Sequence, residues 1–178
     1  MGYNIANEAK KRGADVTLIT GPVKPFDIAG INRIEIKTND QMKEAIANNF
    51  DDADALIMAA APVDYRASEV SDRKIKKSGS NLNMEFIENT DILKYFGSQK
   101  TKQTIIGFAA ETDDLIENAN KKLISKNADY IIANDLKKEG AGFNTDTNIA
   151  SIISIDNVEN LDIMTKIQLA NRILDLVR

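Results

Sequence analysis

The chain has 178 residues, with 23 Lys plus Arg against 27 Asp plus Glu, and no His, Cys or Trp. Without thiol or imidazole there is no Cys nucleophile, no His base, no Cys/His zinc site and no disulfide framework. The missing Cys favours an intracellular, cytoplasmic address. A net charge of -4 argues against a chain-wide grip on nucleic acid. No apolar run approaches the roughly 18 residues that span a bilayer, and the first eight residues lack the basic start and apolar stretch of a signal peptide. The length fits one domain, able to bury roughly 70% of its unfolded surface.

In chain order, Ile5, Ala6 and Ala9 recur at helical spacing and stop at Gly13. Asp15 to Thr20 reads as a strand closed by Gly21-Pro22, and Arg33 to Lys37 as a second. Thr38 with Gln41 three residues on is a capping-box spacing that opens a helix through Met42, Ala45 and Ile46. The apolar run Ala55 to Ala61 predicts a strand buried on both faces. The segment 62–81 has no periodicity and predicts a long, mobile loop. Further strands are expected over Leu82 to Ile87, Thr104 to Ala109, Tyr130 to Ala133 and Ile149 to Ile155. Helices should start at Thr90 or Asp91, and at Thr112 running through Lys126. A closing helix should carry Ile163, Ile167, Ala170, Ile173, Leu174 and Val177 on one stripe. Alternating strands and helices predict a Rossmann-like, three-layer α/β fold with a mostly parallel sheet in a single domain over 1–178. Such a domain normally opens on a strand and a Gly-rich turn. This chain opens inside the helix that should follow them, so the first strand is expected upstream.

In parallel α/β sheets ligands bind beyond the carboxyl ends of the strands. Asp64, Arg66, Glu111, Asn134 and Asp135 all fall there, where they can also cap helices and solvate loops. The run Arg73-Lys74-Ile75-Lys76-Lys77 fits a solvated surface or an anion clamp over a triphosphate. Lys122 and Lys126 share a helical face near a C-terminus, which suits the helix dipole as well as a nucleotide. A helix start at Asn89-Thr90-Asp91-Ile92 can serve as both cap and anion site. Phe108 fits core packing or base stacking. There is no Gly-x-x-x-x-Gly-Lys-Ser/Thr loop and no Gly-x-Gly-x-x-Gly after a strand; Gly140-Ala141-Gly142 is too short and misplaced.

Several segments together carry a resemblance. They are Gly13 to Val23, Ala59-Ala60-Ala61-Pro62-Val63-Asp64-Tyr65-Arg66 with Lys74-Ile75-Lys76-Lys77, and Asn89-Thr90-Asp91-Ile92. Gly107-Phe108-Ala109-Ala110-Glu111-Thr112, Ala133-Asn134-Asp135 and Gly142 to Asp146 complete the set. Their order and spacing resemble phosphopantothenoylcysteine synthetase, the phosphopantothenate–cysteine ligase that in many bacteria forms the C-terminal half of a bifunctional coenzyme A biosynthesis flavoprotein. The resemblance spans essentially the whole chain. It implies a ligase that joins 4′-phosphopantothenate and cysteine through an acyl-cytidylate, consuming CTP and releasing CMP and pyrophosphate, with ATP as a variant. It implies Mg2+ or a similar divalent cation, a homodimer, and a fused or associated flavoprotein decarboxylase that alone would hold FMN.

The resemblance also implies residue roles. Lys74 is the mobile phosphate-contacting, catalytic lysine. Met58, Ala59 and Ala60 meet the nucleotide through backbone groups, and Asp64 lies at the nucleotide site on the cation side, as a metal contact. Thr90, Asp91, Ile92 and Leu93 form the helix start beside the nucleotide. Phe108, Lys122 and Lys126 match further nucleotide-binding positions. Thr90 replaces a usual Pro, and Pro62-Val63 replaces a more usual apolar-small pair. The family's Gly-rich loop and Asn-x-Ser-Ser-Gly segment are expected upstream of Met1, and a chain beginning at Met1 is expected to be inactive or nearly so. The alternatives are a non-catalytic nucleotide-binding or assembly domain and, last, a nicotinamide-dependent reductase.

Overall fold

The computed structural model describes residues 1–23, 28–77, 79, 81–111, 114–135 and 146–177, with the side chains of 111 and 135 outside the description. The elements run α1 (Gly2–Lys11), β1 (Thr17–Thr20), β2 (Asn32–Glu35), α2 (Asn39–Phe50), β3 (Ala55–Met58), β4 (Tyr65–Ala67), β5 (Phe86–Glu88) and α3 (Ile92–Gln99). They continue with β6 (Thr104–Glu111), α4 (Leu115–Ser125), β7 (Tyr130–Asp135), β8 (Thr147–Asn148), β9 (Ala150–Ile153), β10 (Val158–Asn160), β11 (Met164–Thr165) and α5 (Lys166–Leu174). No helix among the described residues is long and apolar enough to cross a membrane.

The central sheet has the order β10-β9-β7-β6-β3. Its core, β3-β6-β7, is parallel, and β9 and β10 add antiparallel at the far side. β1 and β2 form a separate parallel pair. The α/β fold with a mostly parallel sheet is thus as the alternation predicts, with an antiparallel margin. The β1–β2 pair is not hydrogen-bonded to the central sheet among the described residues.

Side-chain alternation divides the core. Ile106, Ile132, Ala150 and Ile152 face Ile5 of α1 and Leu169, Ala170 and Ile173 of α5. On the other face, Ile105 packs with Ile92, Leu93 and Phe96 of α3 and Ile46 and Phe50 of α2. Ala109, Ile131, Ala133 and Ile153 meet Ala119 and Leu123 of α4. Period-2 alternation on a doubly covered sheet requires this split. Phe96 is the anchor of the α3 layer, with ring centroids 4.9 Å from Phe50 and 5.1 Å from Tyr95.

Local chemistry sets the helix ends. The Thr38 hydroxyl accepts from Gln41 N at 3.2 Å, and Gln41 Oε1 accepts from Thr38 N at 3.3 Å. This is the capping box expected for α2. At α1, Gly13 has φ +87°, Gly13 N donates to Lys10 O, and Ala14 N donates to Ala9 O. That is a Schellman stop.

Four expectations need correction. β3 ends at Met58 and is only half-buried along its length, because β6 is its one strand partner among the described residues. β5 covers only Phe86–Glu88, since β4 offers just three partner residues. Segment 62–81 is not wholly irregular, because it contains β4. The closing stripe is shorter than expected. Thr165 and Gln168 form a capping box that starts α5 after Ile163. Ile163 and Ile167 are exposed, and Leu169, Ala170 and Ile173 take the core positions. Thr112, expected to cap α4, lies outside the described residues; Asp114 holds the N-cap position, with φ 47°.

Candidate active site

Beyond β3 the chain turns at Ala59 and Ala60 toward Asp64. The Met58 side chain packs into the α2–α3 cluster, which leaves its backbone as the part able to meet a ligand. The turn is held by its carbonyls. Val63 O accepts from Asn39 Nδ2 at 3.0 Å and from Asn89 Nδ2 at 2.9 Å, and Asp64 O accepts from Asn89 N at 2.7 Å. Arg66 Nη1 reaches Asp40 Oδ2 at 3.1 Å. The start of α2 and the residues before α3 therefore grip one turn and present the exposed Asp64 carboxylate at the sheet's carboxyl edge.

The α3 start joins the same network. Asp91 Oδ1 accepts from Lys94 N at 3.0 Å and caps the helix, while Asp91 Oδ2 lies 3.3 Å from Lys126 Nζ. Thr90 is exposed just before the cap, and Ile92 and Leu93 are buried. Lys126 is 25% exposed, so most of its side chain is packed. Lys122 is half-buried one turn earlier. Lys121 instead pairs with Glu117 at 2.7 Å on the outer face. Their hydrogen bond raises the Lys121 pKa and lowers that of Glu117. Such a solvated pair contributes little.

The structure thus connects Asp64, Asp91 and Lys126 through Asn89 and the α3 cap. Two expected members stand apart from that network. Lys74 is exposed in the strap between β4 and β5. Phe108 is half-buried against the α1–α5 cluster, on the sheet face opposite Leu93 and Lys126. A nucleotide touching both would have to cross the carboxyl edge of β6. Asn134 is buried, and among the described residues its Oδ1 and that of Asn148 meet no hydrogen-bond partner. The side chains of Glu111 and Asp135, and residues 140–145, lie outside the described residues.

No three carboxylates gather around a possible metal position among the described residues. A single exposed carboxylate still suits Mg2+, which keeps waters and is commonly held by one or two carboxylates together with substrate phosphates. A cleft of about 450 Å³ opens between the start of α4 and β9–β10, lined by Asp114, Leu115, Ser151 and Asn160 among others; none of the expected site residues lines it. Sequence reading missed Asn39 and Asp40, which grip the turn after β3. Only Thr38 and Gln41 were marked at the start of α2, and nothing in their spacing shows that the residues between them reach the turn after β3.

Known proteins resemble this chain along its whole length. The family model described as DNA/pantothenate metabolism flavoprotein C-terminal domain matches residues 1–178. The coenzyme A biosynthesis bifunctional protein CoaBC of Bacillus subtilis is 41% identical over 98% of this chain and 43% of its own length. A cysteine/cysteine sulfinic acid decarboxylase from an unspecified prokaryote is 39% identical over 98% of this chain and 49% of its own. The chain therefore spans less than half the length of these two curated relatives. The solved C-terminal domain of a CoaBC protein superposes with a TM-score of 0.81 at 34% identity, covering 98% of this chain and 78% of that one. This chain belongs to the DNA/pantothenate metabolism flavoprotein C-terminal domain family.

Proposed function

We propose that this chain is the phosphopantothenate–cysteine ligase domain of coenzyme A biosynthesis, using CTP, with ATP the alternative nucleotide. The observation that carries the reading is the Asp91–Lys126 pair, tied through Asn89 to the Asp64 turn at the carboxyl edge of the sheet. It stands in a chain 41% identical to a protein named for coenzyme A biosynthesis.

The 4′-phosphopantothenate carboxylate attacks the α-phosphorus of CTP. The bond from that phosphorus to the bridging oxygen breaks, and pyrophosphate leaves. The cysteine amine then attacks the acyl carbon, the carbon–oxygen bond to cytidylate breaks, and CMP departs as the amine proton passes to solvent. A carboxylate is already ionised at neutral pH, so a chain without His can direct it by alignment and charge alone. In this reading Met58, Ala59, Ala60, Thr90 to Leu93, Phe108, Lys122 and Lys126 bind the nucleotide. Lys74 meets charge developing on the phosphates. Asp64 would hold a divalent cation, which supplies charge neutralisation at the phosphates.

The same reading makes the protein a cytoplasmic homodimer. The β4–β5 hairpin supports this, because Val63, Tyr65, Leu82, Met84 and Phe86 are all exposed on or beside it. An isolated two-stranded ribbon is marginal, and a clustered apolar surface marks an interface. A second copy covers it. A flavoprotein decarboxylase domain, the holder of FMN, accompanies the ligase; the bifunctional name of the first relative fits, since this chain spans 43% of that protein.

The reading is tested on the full-length natural protein. Pyrophosphate release is expected to require CTP and phosphopantothenate, and the amide product to require cysteine as well. Tight nucleotide binding with no release when all three are present would leave only a non-catalytic nucleotide-binding domain.

A further inference from the structure

We infer that Gly97 and Asn127 are positioning residues that aim the Lys126 ammonium at the proposed nucleotide site, an inference that rests on the nucleotide role of Lys126. The argument starts from how α4 ends. Lys126 is its C-cap, Asn127 N donates to Ile124 O at 3.2 Å, and Ala128 N donates to Leu123 O at 3.1 Å. Asn127 has φ +48°. These are the two bonds and the left-handed residue of a Schellman motif, with Asn in place of the usual Gly. The choice of Asn has a second consequence. Its Nδ2 donates to Gly97 O at 2.8 Å, so the residue that stops α4 also satisfies a carbonyl in the last turn of α3.

Gly97 completes the joint from the other side. A Cβ placed on it would sit 1.8 Å from Lys126 O and 2.9 Å from Lys126 C. Only a residue without a side chain lets α3 approach the Lys126 backbone this closely. The backbone of Lys126 is thereby fixed against the lower part of α3. Its side chain runs to the cap of the same helix and meets Asp91 Oδ2 at 3.3 Å. Both ends of the lysine are referenced to α3: the main chain at Gly97, the ammonium at Asp91. A long flexible side chain loses less freedom on meeting an anion when its base is held and its stem packed. Neither Gly97 nor Asn127 needs to touch the nucleotide for this.

The test uses the full-length natural protein and steady-state pyrophosphate release with three variants: Asn127→Gly, Lys126→Met and the double variant. Gly tolerates the positive φ, so Asn127→Gly keeps the helix stop and removes only the tether. The expected result is a nucleotide KM raised up to about tenfold, the upper end of what one lost neutral hydrogen bond is worth. The phosphopantothenate KM and kcat stay within about twofold. Lys126→Met should raise the nucleotide KM at least as much, and the double variant should be no worse than Lys126→Met alone, because the tether acts only through that lysine. A nucleotide KM unmoved by Asn127→Gly but raised by Lys126→Met would overturn the positioning role and leave the nucleotide role standing. No change in either single variant would overturn both.

Discussion

Replacing Lys74 with Gln is expected to lower kcat about 100-fold or more, the scale seen when one preorganised group facing transition-state charge is removed. The nucleotide KM should move little, because a group that acts mainly as charge develops changes kcat and kcat/KM together. Gln keeps most of the side-chain length and an N–H donor and loses the positive charge, so the variant isolates electrostatics. Lys74 is exposed in the strap between β4 and β5, with Arg73, Lys76 and Lys77 beside it. Surface substitutions of this kind usually stay within about 0.5 kcal/mol. The melting temperature should therefore shift by no more than about 2 °C. A full turnover rate for Lys74→Gln would show that the basic strap is solvated surface. A low rate accompanied by a large loss of thermal stability would assign the effect to folding instead. A parallel Lys77→Gln variant calibrates the contribution of general positive charge in the strap.

Gly97→Ala is expected to cost about 3 kcal/mol or more in stability, at or beyond the upper end of ordinary overpacking. The reason is the identity of the atom met. The new Cβ would lie 1.8 Å from the Lys126 carbonyl oxygen, a backbone atom at a closed helix end, so α3 and α4 must separate. Gly107→Ala offers the contrast. There the Cβ would meet Leu93 Cδ2 at 2.6 Å and Ile131 Cδ1 at 2.9 Å, which are the far ends of side chains that can rotate. Gly107→Ala should thus lose clearly less than Gly97→Ala in urea or thermal unfolding. At this chain length each 1 kcal/mol corresponds to about 2–4 °C, so Gly97→Ala should melt roughly 6–12 °C lower. Equal losses in the two variants would contradict the close α3–α4 approach.

What could be read from the sequence followed how local the chemistry was. The Thr38–Gln41 capping box needs only two residues three apart, and it is present as expected. Gly13 announced the end of α1 because glycine is the usual residue for a left-handed stop. The same motif at Asn127 went unread, because Asn is common in loops, and its second bond, to Gly97, joins positions 30 residues apart. The apolar runs gave the parallel core β3-β6-β7. They overstated the burial of β3, since burial depends on which strands lie beside it and not on its own composition. β8, β10 and β11 have two or three residues each, too few for alternation to register. The closing stripe was drawn too far toward its start because Ile163 continued the apolar spacing, whereas Ala170, Ile173, Leu174 and Val177 pack on the core as expected. The Thr165–Gln168 box, which excludes Ile163, lay inside the pattern.

The site divides in the same way. The Asn89-Thr90-Asp91-Ile92 segment and the Lys122–Lys126 pair were marked by residue type, and the structure joins them through Asp91 and Lys126. Asn39 and Asp40 were not marked, because their partners Val63 and Arg66 follow more than 20 residues later and meet them only once β3 and α2 have packed. Phe108 was expected to pack in the core or to stack on a base, and it packs against the α1–α5 cluster. Strand alternation places it on the other face of the sheet, since Gly107 and Ala109 take the α3–α4 side.

The central claim is that the carboxylate is activated by attack on the α-phosphate. Phosphopantothenate labelled with oxygen-18 in its carboxylate, turned over with CTP and cysteine by the full-length natural protein, tests it directly. The account predicts that each turnover places one labelled oxygen in the phosphate of CMP, with none in pyrophosphate. Label in inorganic phosphate or pyrophosphate, or its loss to water with none in CMP, would contradict an acyl-cytidylate route.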